Sequence, residues 1–182
     1  KIKIDDFKEY LLKYKNSKFI IFGFTFIVWQ NLILEFKKNN YRPNLSNIIL
    51  IHGGGWKKLT DLEINNNQFK KILKMKLNIK EIINYYGMIE QIGSIFFECE
   101  KGYFHTSMYS DILIRDNNLN ILANKRSGFI QLMSILPSSY PGHIILTEDI
   151  GKIIGENNCK CGRKGKYFLV SGRVPKTEVR GC

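Results

Sequence analysis

Three groups of residues in this 182-residue chain have the types and spacing to do chemistry. The first is Tyr86-Gly87-Met88-Ile89-Glu90. An aromatic face can stack on a purine, a glycine permits a sharp turn, and a carboxylate a few residues on can hold the Mg2+ that accompanies ATP phosphates. The same residues also suit a core tyrosine, a turn glycine and a surface glutamate, and residue types alone do not choose. The second group is Gly53-Gly54-Gly55, where three residues without Cβ let a backbone approach a flat ligand or a phosphate. Glycine clusters also make ordinary turns, and this one is no Walker loop, because no Gly-Lys-Ser/Thr follows it. The third group is Cys99, His105, Cys159 and Cys161. Cys99 and His105 flank the Lys101-Gly102 turn, and Cys159-Lys160-Cys161 is a second hairpin-like pair. Together they could offer a tetrahedral Zn2+ three thiolates and an imidazole. The single residue between Cys159 and Cys161 is tighter than a usual zinc knuckle, and reduced core thiols beside a loop histidine are the alternative.

The rest of the composition narrows the class without choosing a function. With 28 Lys+Arg against 16 Asp+Glu the formal charge is +12, a field that draws in phosphates, nucleic acid or an anionic partner surface. A solvated basic surface explains it equally. Four cysteines in a chain of this length fit a metal site or a reactive thiol better than a disulfide framework. No stretch reaches the roughly 18 apolar residues of a membrane span, since Gly23, Thr25, Gln30 and Asn31 interrupt the best candidate, 19–34. A cytoplasmic protein without a membrane span is expected. The chain begins at Lys1 and ends at Cys182 directly after a glycine, which reads as a piece of a longer protein.

These residues need a scaffold, and the hydrophobic pattern supplies one. Lys18-Phe19-Ile20-Ile21-Phe22 is a buried-strand run stopped by Gly23; 25–38 carries apolar residues at helical spacing; 47–52 repeats the strand pattern and stops at the glycines. Strand, helix, strand predicts a parallel βαβ unit. Residues 66–75 and 78–85 read as helices. Beyond Gly87 the texture changes to short β-rich runs at 93–98, 111–115, 129–135 and 143–147, separated by Lys101-Gly102, Asn117-Asn118 and Pro141-Gly142 turns. The expected architecture is α/β, with a parallel βαβ subdomain over 1–90 and an antiparallel β-rich subdomain over 91–182, integrated in one domain.

Tyr86-Gly87-Met88-Ile89-Glu90-Gln91, taken with Cys159-Lys160-Cys161-Gly162-Arg163 and Gly172-Arg173-Val174-Pro175-Lys176, resembles the nucleotide-handling half of an acyl-adenylating enzyme. The resemblance is to the acyl-protein synthetases of bacterial luminescence operons, the LuxE-type long-chain fatty-acid protein ligases, which sit beside the phenylacetate-CoA ligases in the adenylate-forming superfamily. It implies that Tyr86 stacks on adenine, that Gly87 makes the turn, that Glu90 binds Mg2+, and that Gly53, Gly54 and Gly55 line the adenine and carboxylate pocket. It implies further that Asp149, in Pro141-Gly142-His143-Ile144-Ile145-Leu146-Thr147-Glu148-Asp149-Ile150-Gly151, holds the ribose hydroxyls, and that Gly172-Arg173 is the hinge pair whose arginine contacts the adenylate. A turn aspartate is the alternative for Asp149. Ile89 stands where the superfamily usually has threonine; His52 precedes the glycines, and Trp56 and Lys57 are unusual accompaniments that follow them.

By the same resemblance the activity is ATP-dependent conversion of a carboxylic acid, fatty in this branch, into an acyl-adenylate. The acyl group then passes to a cysteine near the carboxyl end, here Cys182, as a thioester for an acyl-protein reductase partner. Related phenylacetate-CoA ligase-like proteins carry similar cysteine segments, which implies structural Zn2+ at Cys99, His105, Cys159 and Cys161. Segment 22–29 would line an acyl pocket, although a buried strand-to-helix junction explains it equally. The superfamily's Ser/Thr/Gly-rich phosphate loop is not in the sequence, so the chain alone is expected not to complete adenylation. Two rivals remain: an acyl- or aryl-CoA ligase, in which a diffusible thiol replaces Cys182, and a basic zinc-ribbon module that binds nucleic acid, a partner the preferred reading does not expect.

Overall fold

The computed structural model describes residues 2–55 and 64–174, and the chain divides into two units, Lys1–Asn84 and Tyr85–Cys182. In the first, β1 (Phe19–Phe24) and β2 (Ile48–Gly53) pair in parallel, from Phe19 opposite Ile48 to Phe24 opposite Gly53. Between them the chain crosses over as α2 (Thr25–Val28), a π-helical turn (Trp29–Leu34) and α3 (Glu35–Lys38), after an opening helix α1 (Ile4–Lys13). The expected strand-helix-strand unit is present. Its cause lies in the spacing of apolar residues: Ile48, Leu50 and His52 alternate inward along β2, and Val28, Trp29, Leu32, Ile33 and Phe36 recur every three or four residues along the crossover. Phe22 and Phe24 of the proposed acyl-lining segment are exposed, whereas Val28 and Trp29 belong to the core.

α4 (Asn66–Leu77) closes this core with Phe69, Leu73 and Leu77, one per turn. Burying each contributes about 1.5–3 kcal/mol. A capping box starts the helix: the Asn65 side chain accepts from the Gln68 N–H, and the Gln68 side chain accepts from the Asn65 N–H. The expected second helix over 78–85 is absent; the segment is strand β3 (Glu81–Gly87). Asn78 takes a left-handed conformation at φ 55° and ends α4, and the Ile82-Ile83 pair and Tyr85-Tyr86 that follow are β-branched and aromatic types that suit a pleated strand.

In the second unit the last residues of β3 pair antiparallel with β4 (Ile95–Phe97), Tyr86 opposite Phe96. A five-stranded antiparallel sheet follows, in the order β5 (Phe104–His105), β9 (Lys166–Arg173), β8 (Ile144–Glu156), β7 (Gly128–Ser134), β6 (Ser110–Arg115). The expected β runs fall on β4, β6, β7 and the start of β8, but β8 continues to Glu156 and β9 was not foreseen. Phe96, Phe104, Ile112, Ile114, Ile130, Leu132, Ile153 and Phe168 form its core. Gly87 is needed for close approach: a Cβ there would lie 2.7 Å from the Ser94 carbonyl oxygen. Among the described residues no helix is long and apolar enough to cross a membrane.

Candidate functional site

The pairing of β8 with β9 sets Asp149 directly opposite Arg173, and Arg173 Nε lies 3.6 Å from Asp149 Oδ1. The other carboxylate oxygen, Oδ2, accepts a 2.8 Å hydrogen bond from the Tyr86 hydroxyl. Thr147 holds the backbone beneath: its Oγ1 accepts from the Asp149 N–H and donates to the Ile130 carbonyl. The Asp149 side chain is only 13% exposed against 46% for Arg173, so a carboxylate sits at the rim of the core with a cation on its solvent side. The Tyr86 ring stacks on Phe96 (centroids 6.1 Å apart, planes at 21°) and meets Phe168 edge-on. Burial first, then the charge of Asp149, push the Tyr86 phenol well above its usual range, which keeps it a donor. Three of the expected nucleotide residues, Tyr86, Asp149 and Arg173, therefore come together. Tyr86 contributes its hydroxyl to that group while one ring face rests on Phe96.

Glu90 is exposed on the turn that follows Gly87. Long-range bonds invisible in the local sequence hold this turn. The Tyr140 hydroxyl donates to the Glu90 carbonyl at 3.1 Å and accepts from the Ile92 N–H at 3.2 Å. Buried Gln91 donates from Nε2 to the Gly142 carbonyl at 2.7 Å and accepts from Ser94 Oγ, and Ser134 Oγ donates to the Ile92 carbonyl at 2.6 Å. One exposed carboxylate on a clamped turn fits Mg2+, which is commonly held by one or two carboxylates while phosphates and waters complete its shell.

The ligand atoms of Cys99, His105, Cys159 and Cys161 all lie within 4.8 Å of one another, and Cys161 Sγ is 3.4 Å from His105 Nε2. Cys99, His105 and Cys159 are buried and Cys161 is half-buried. All three cysteines are free thiols. Burial, then the charge of Arg163, hold the His105 imidazole below its usual pKa, the neutral form that ligation requires. For Cys161 burial opposes ionisation, yet the Arg163 backbone N–H, the neighbouring thiols and the Arg163 charge together leave the thiol lowered. Burial pushes the Cys159 thiol up; three sulfurs and one nitrogen gathered in this way fit Zn2+, whose bonds of about 2.0–2.3 Å need donors this close.

In the first unit, Gly53, Gly54 and Gly55 end β2, Gly54 at φ 73°. Gly54 lines a cavity of about 80 Å3 with Thr25, His52, Asn66, Phe69 and Asn84. Burial first, then the positive charge of Lys70, lower the His52 pKa from 6.5 to about 3. A buried base with a depressed folded pKa stabilises the fold fully above the unfolded value, and that contribution is lost as pH falls from about 6.5 toward about 3. At most about 4–5 kcal/mol is at stake. Urea midpoints measured between pH 7 and pH 4 should therefore fall more steeply for the native chain than for His52→Gln; parallel curves would assign the acid lability to other groups. Trp56, Lys57 and Cys182 lie outside the described residues.

The model of the acyl-protein synthetase family LuxE matches residues 3–182. No curated protein matches the chain. Among solved structures, an open conformation of 2-hydroxyisobutyryl-CoA ligase with 2-HIB-AMP and CoA superposes with a TM-score of 0.73 at 13% identity, over 94% of this chain and 36% of that one. McyG A-PCP complexed with phenylalanyl-adenylate gives 0.58 at 20% identity, over 95% and 33%. A long-chain-fatty-acid-CoA ligase (FadD1) from Archaeoglobus fulgidus gives 0.59 at 14%, over 96% and 37%. These likenesses show the adenylate-forming fold, and the chain spans about a third of the length of each.

Proposed function

The chain belongs to the acyl-protein synthetase (LuxE) family, and from that membership we propose that it forms part of an enzyme that activates a carboxylic acid, fatty in the branch it resembles, as an acyl-adenylate. The observation that carries this reading is the convergence of Tyr86 and Arg173 on the Asp149 carboxylate in the second unit. An ionised carboxylate has about four lone-pair sites, so Asp149 can receive Tyr86 and Arg173 and still accept two ribose hydroxyls. Arg173, half exposed beside it, would offset phosphate charge.

In the proposed reaction the acid's carboxylate oxygen attacks the α-phosphorus of ATP and pyrophosphate leaves. Asp149 binds the ribose, and Glu90, fixed by the Tyr140 and Gln91 clamp, would hold the Mg2+ that neutralises the departing phosphates. Gly53, Gly54 and Gly55 would admit the ligand's flat face or carboxylate close to backbone, with Gly87 keeping the turn before Glu90 tight. The Cys182 thiolate then attacks the acyl carbonyl and AMP departs, leaving a thioester for a reductase partner. Coenzyme A is the rival acceptor. Zn2+ would be held by Cys99, His105, Cys159 and Cys161 as a structural ion with no open position, tying the 99–105 hairpin to the 157–165 loop.

Incubation of the intact protein with ATP, labelled pyrophosphate and a panel of straight-chain, branched and aromatic acids tests the reading. Acid-dependent exchange of label into ATP is the expected result, and folded protein that exchanges with none of them overturns it. Loss of acyl transfer in Cys182→Ser, with exchange intact, would mark the protein thiol rather than coenzyme A as acceptor.

A further inference from the structure

His52 is 2% exposed, and its Nε2 is buried without a hydrogen-bond partner among the described residues. The other ring nitrogen identifies the proton's place. Thr25 Oγ1 lies 3.0 Å from the Gly53 carbonyl oxygen and 3.0 Å from His52 Nδ1. A hydroxyl has one proton and a carbonyl can only accept, so Thr25 donates to Gly53 and must accept from His52 Nδ1–H. That leaves Nε2 as a bare lone pair on a ring held neutral by its surroundings. Leaving such an acceptor buried and unsatisfied costs about 1–3 kcal/mol.

The ring lines the cavity of about 80 Å3 beside Gly54. Among the described residues Thr25, Asn66 and Asn84 stand around it, with Phe69 the one apolar side chain; the Phe69 ring lies 4.6 Å from the His52 ring. A wall of this composition does not suit a run of methylenes. The volume is that of two or three waters at about 30 Å3 each, hence of a short end group rather than of a purine.

We propose that this cavity is a binding site for the hydroxyl-bearing end of a short carboxylic acid, with His52 Nε2 accepting the hydroxyl proton. The inference rests on the acid-activating reading for the source of that hydroxyl, but not for the existence of the site. It restricts the substrate: a hydroxylated acid is favoured over an unsubstituted acid of the same length.

The test is 15N NMR of the histidine-labelled chain, titrated with 3-hydroxybutyrate, butyrate, adenosine and purine riboside. The hydroxy acid is expected to move the His52 Nε2 resonance upfield, as hydrogen bonding of an acceptor nitrogen does, and to bind about tenfold tighter than butyrate, the ratio that about 1.4 kcal/mol of hydrogen bonding supplies. His52→Leu should erase that ratio, while the titration of the native chain decides the matter if the variant does not fold. An Nε2 signal that is already hydrogen-bonded in buffer and unmoved by the hydroxy acid means a resident water, and overturns the proposal. So does a response to adenosine alone, absent with purine riboside, which would assign the cavity to the adenine amino group. Pyrophosphate exchange separates the two readings. Exchange with equal preference for butyrate and 3-hydroxybutyrate sinks this inference and leaves adenylation standing. A His52 response without exchange for any acid does the reverse.

Discussion

Cys159→Ser is expected to abolish stoichiometric zinc in the purified chain and to lower its unfolding temperature by about 10 °C or more. Four donors within 4.8 Å bring together two segments distant in sequence, the 99–105 hairpin and the 157–165 loop, so an ion held there would close a loop of more than fifty residues in the second unit. Apparent binding energies of about 10–16 kcal/mol are reached by structural zinc in small fingers. Thiols in the unfolded chain also bind the metal and return part of that; even about 4 kcal/mol of remainder corresponds to a shift of this size at about 2–4 °C per kcal/mol. Serine is nearly isosteric, so a fall caused by packing alone should stay small at Cys159. Elemental analysis and thermal melts with and without a chelator check both halves. Native protein that is purified with zinc supplied, yet carries no metal and melts within a degree or two of Cys159→Ser, would show that the cluster is only a set of reduced thiols.

That cluster was legible because its residue types are scarce: four cysteines and three histidines in the whole sequence leave few ways to assemble a metal set, and their pairing across turns pointed to one. The parallel βαβ unit was legible for a different reason, since a continuous apolar run before Gly23 gives way to apolar spacing of three and four and a second continuous run returns before the glycines. What escaped depended on events not encoded locally. Asn78 can sit in a helix or end it, and only the left-handed turn after α4 decides that Glu81–Gly87 is a strand. β9 carries an apolar run, Tyr167-Phe168-Leu169-Val170, that directly follows the lysine- and glycine-rich stretch 160–166, and its partner, β8, is set by pairing rather than composition. Tyr86 was readable as an aromatic face, but its bond to Asp149 spans 63 residues, and the clamp on Glu90 comes from Tyr140, 50 residues away. His52 looked like a mere neighbour of the glycines until Thr25 fixed its tautomer.

Asp149→Asn is expected to reduce kcat/KM for ATP in the exchange reaction by at least about 100-fold, most of it through KM, with little change in stability. The amide keeps an oxygen for the Tyr86 hydroxyl, so the aromatic cluster of Phe96, Phe104 and Phe168 beneath it is not disturbed. What it loses is charge: in the proposed binding mode two ribose hydroxyls would meet an ionised acceptor, at about 1.5–3 kcal/mol each, and in the variant they would meet a neutral one that also presents two donors of its own. Arg173, opposite residue 149 across the strand pair, then faces a neutral amide. Tyr86→Phe is the complementary change. It preserves the ring and its stack on Phe96 but removes the donor to Asp149 Oδ2, and should cost about 1–3 kcal/mol of stability while changing the ATP KM by less than about tenfold. The two variants thus separate binding a ligand from holding the group that binds it. If Tyr86→Phe damaged ATP use more than Asp149→Asn did, with both variants folded, Asp149 would be a structural partner of the tyrosine, and the phenol itself would be the group that touches the nucleotide.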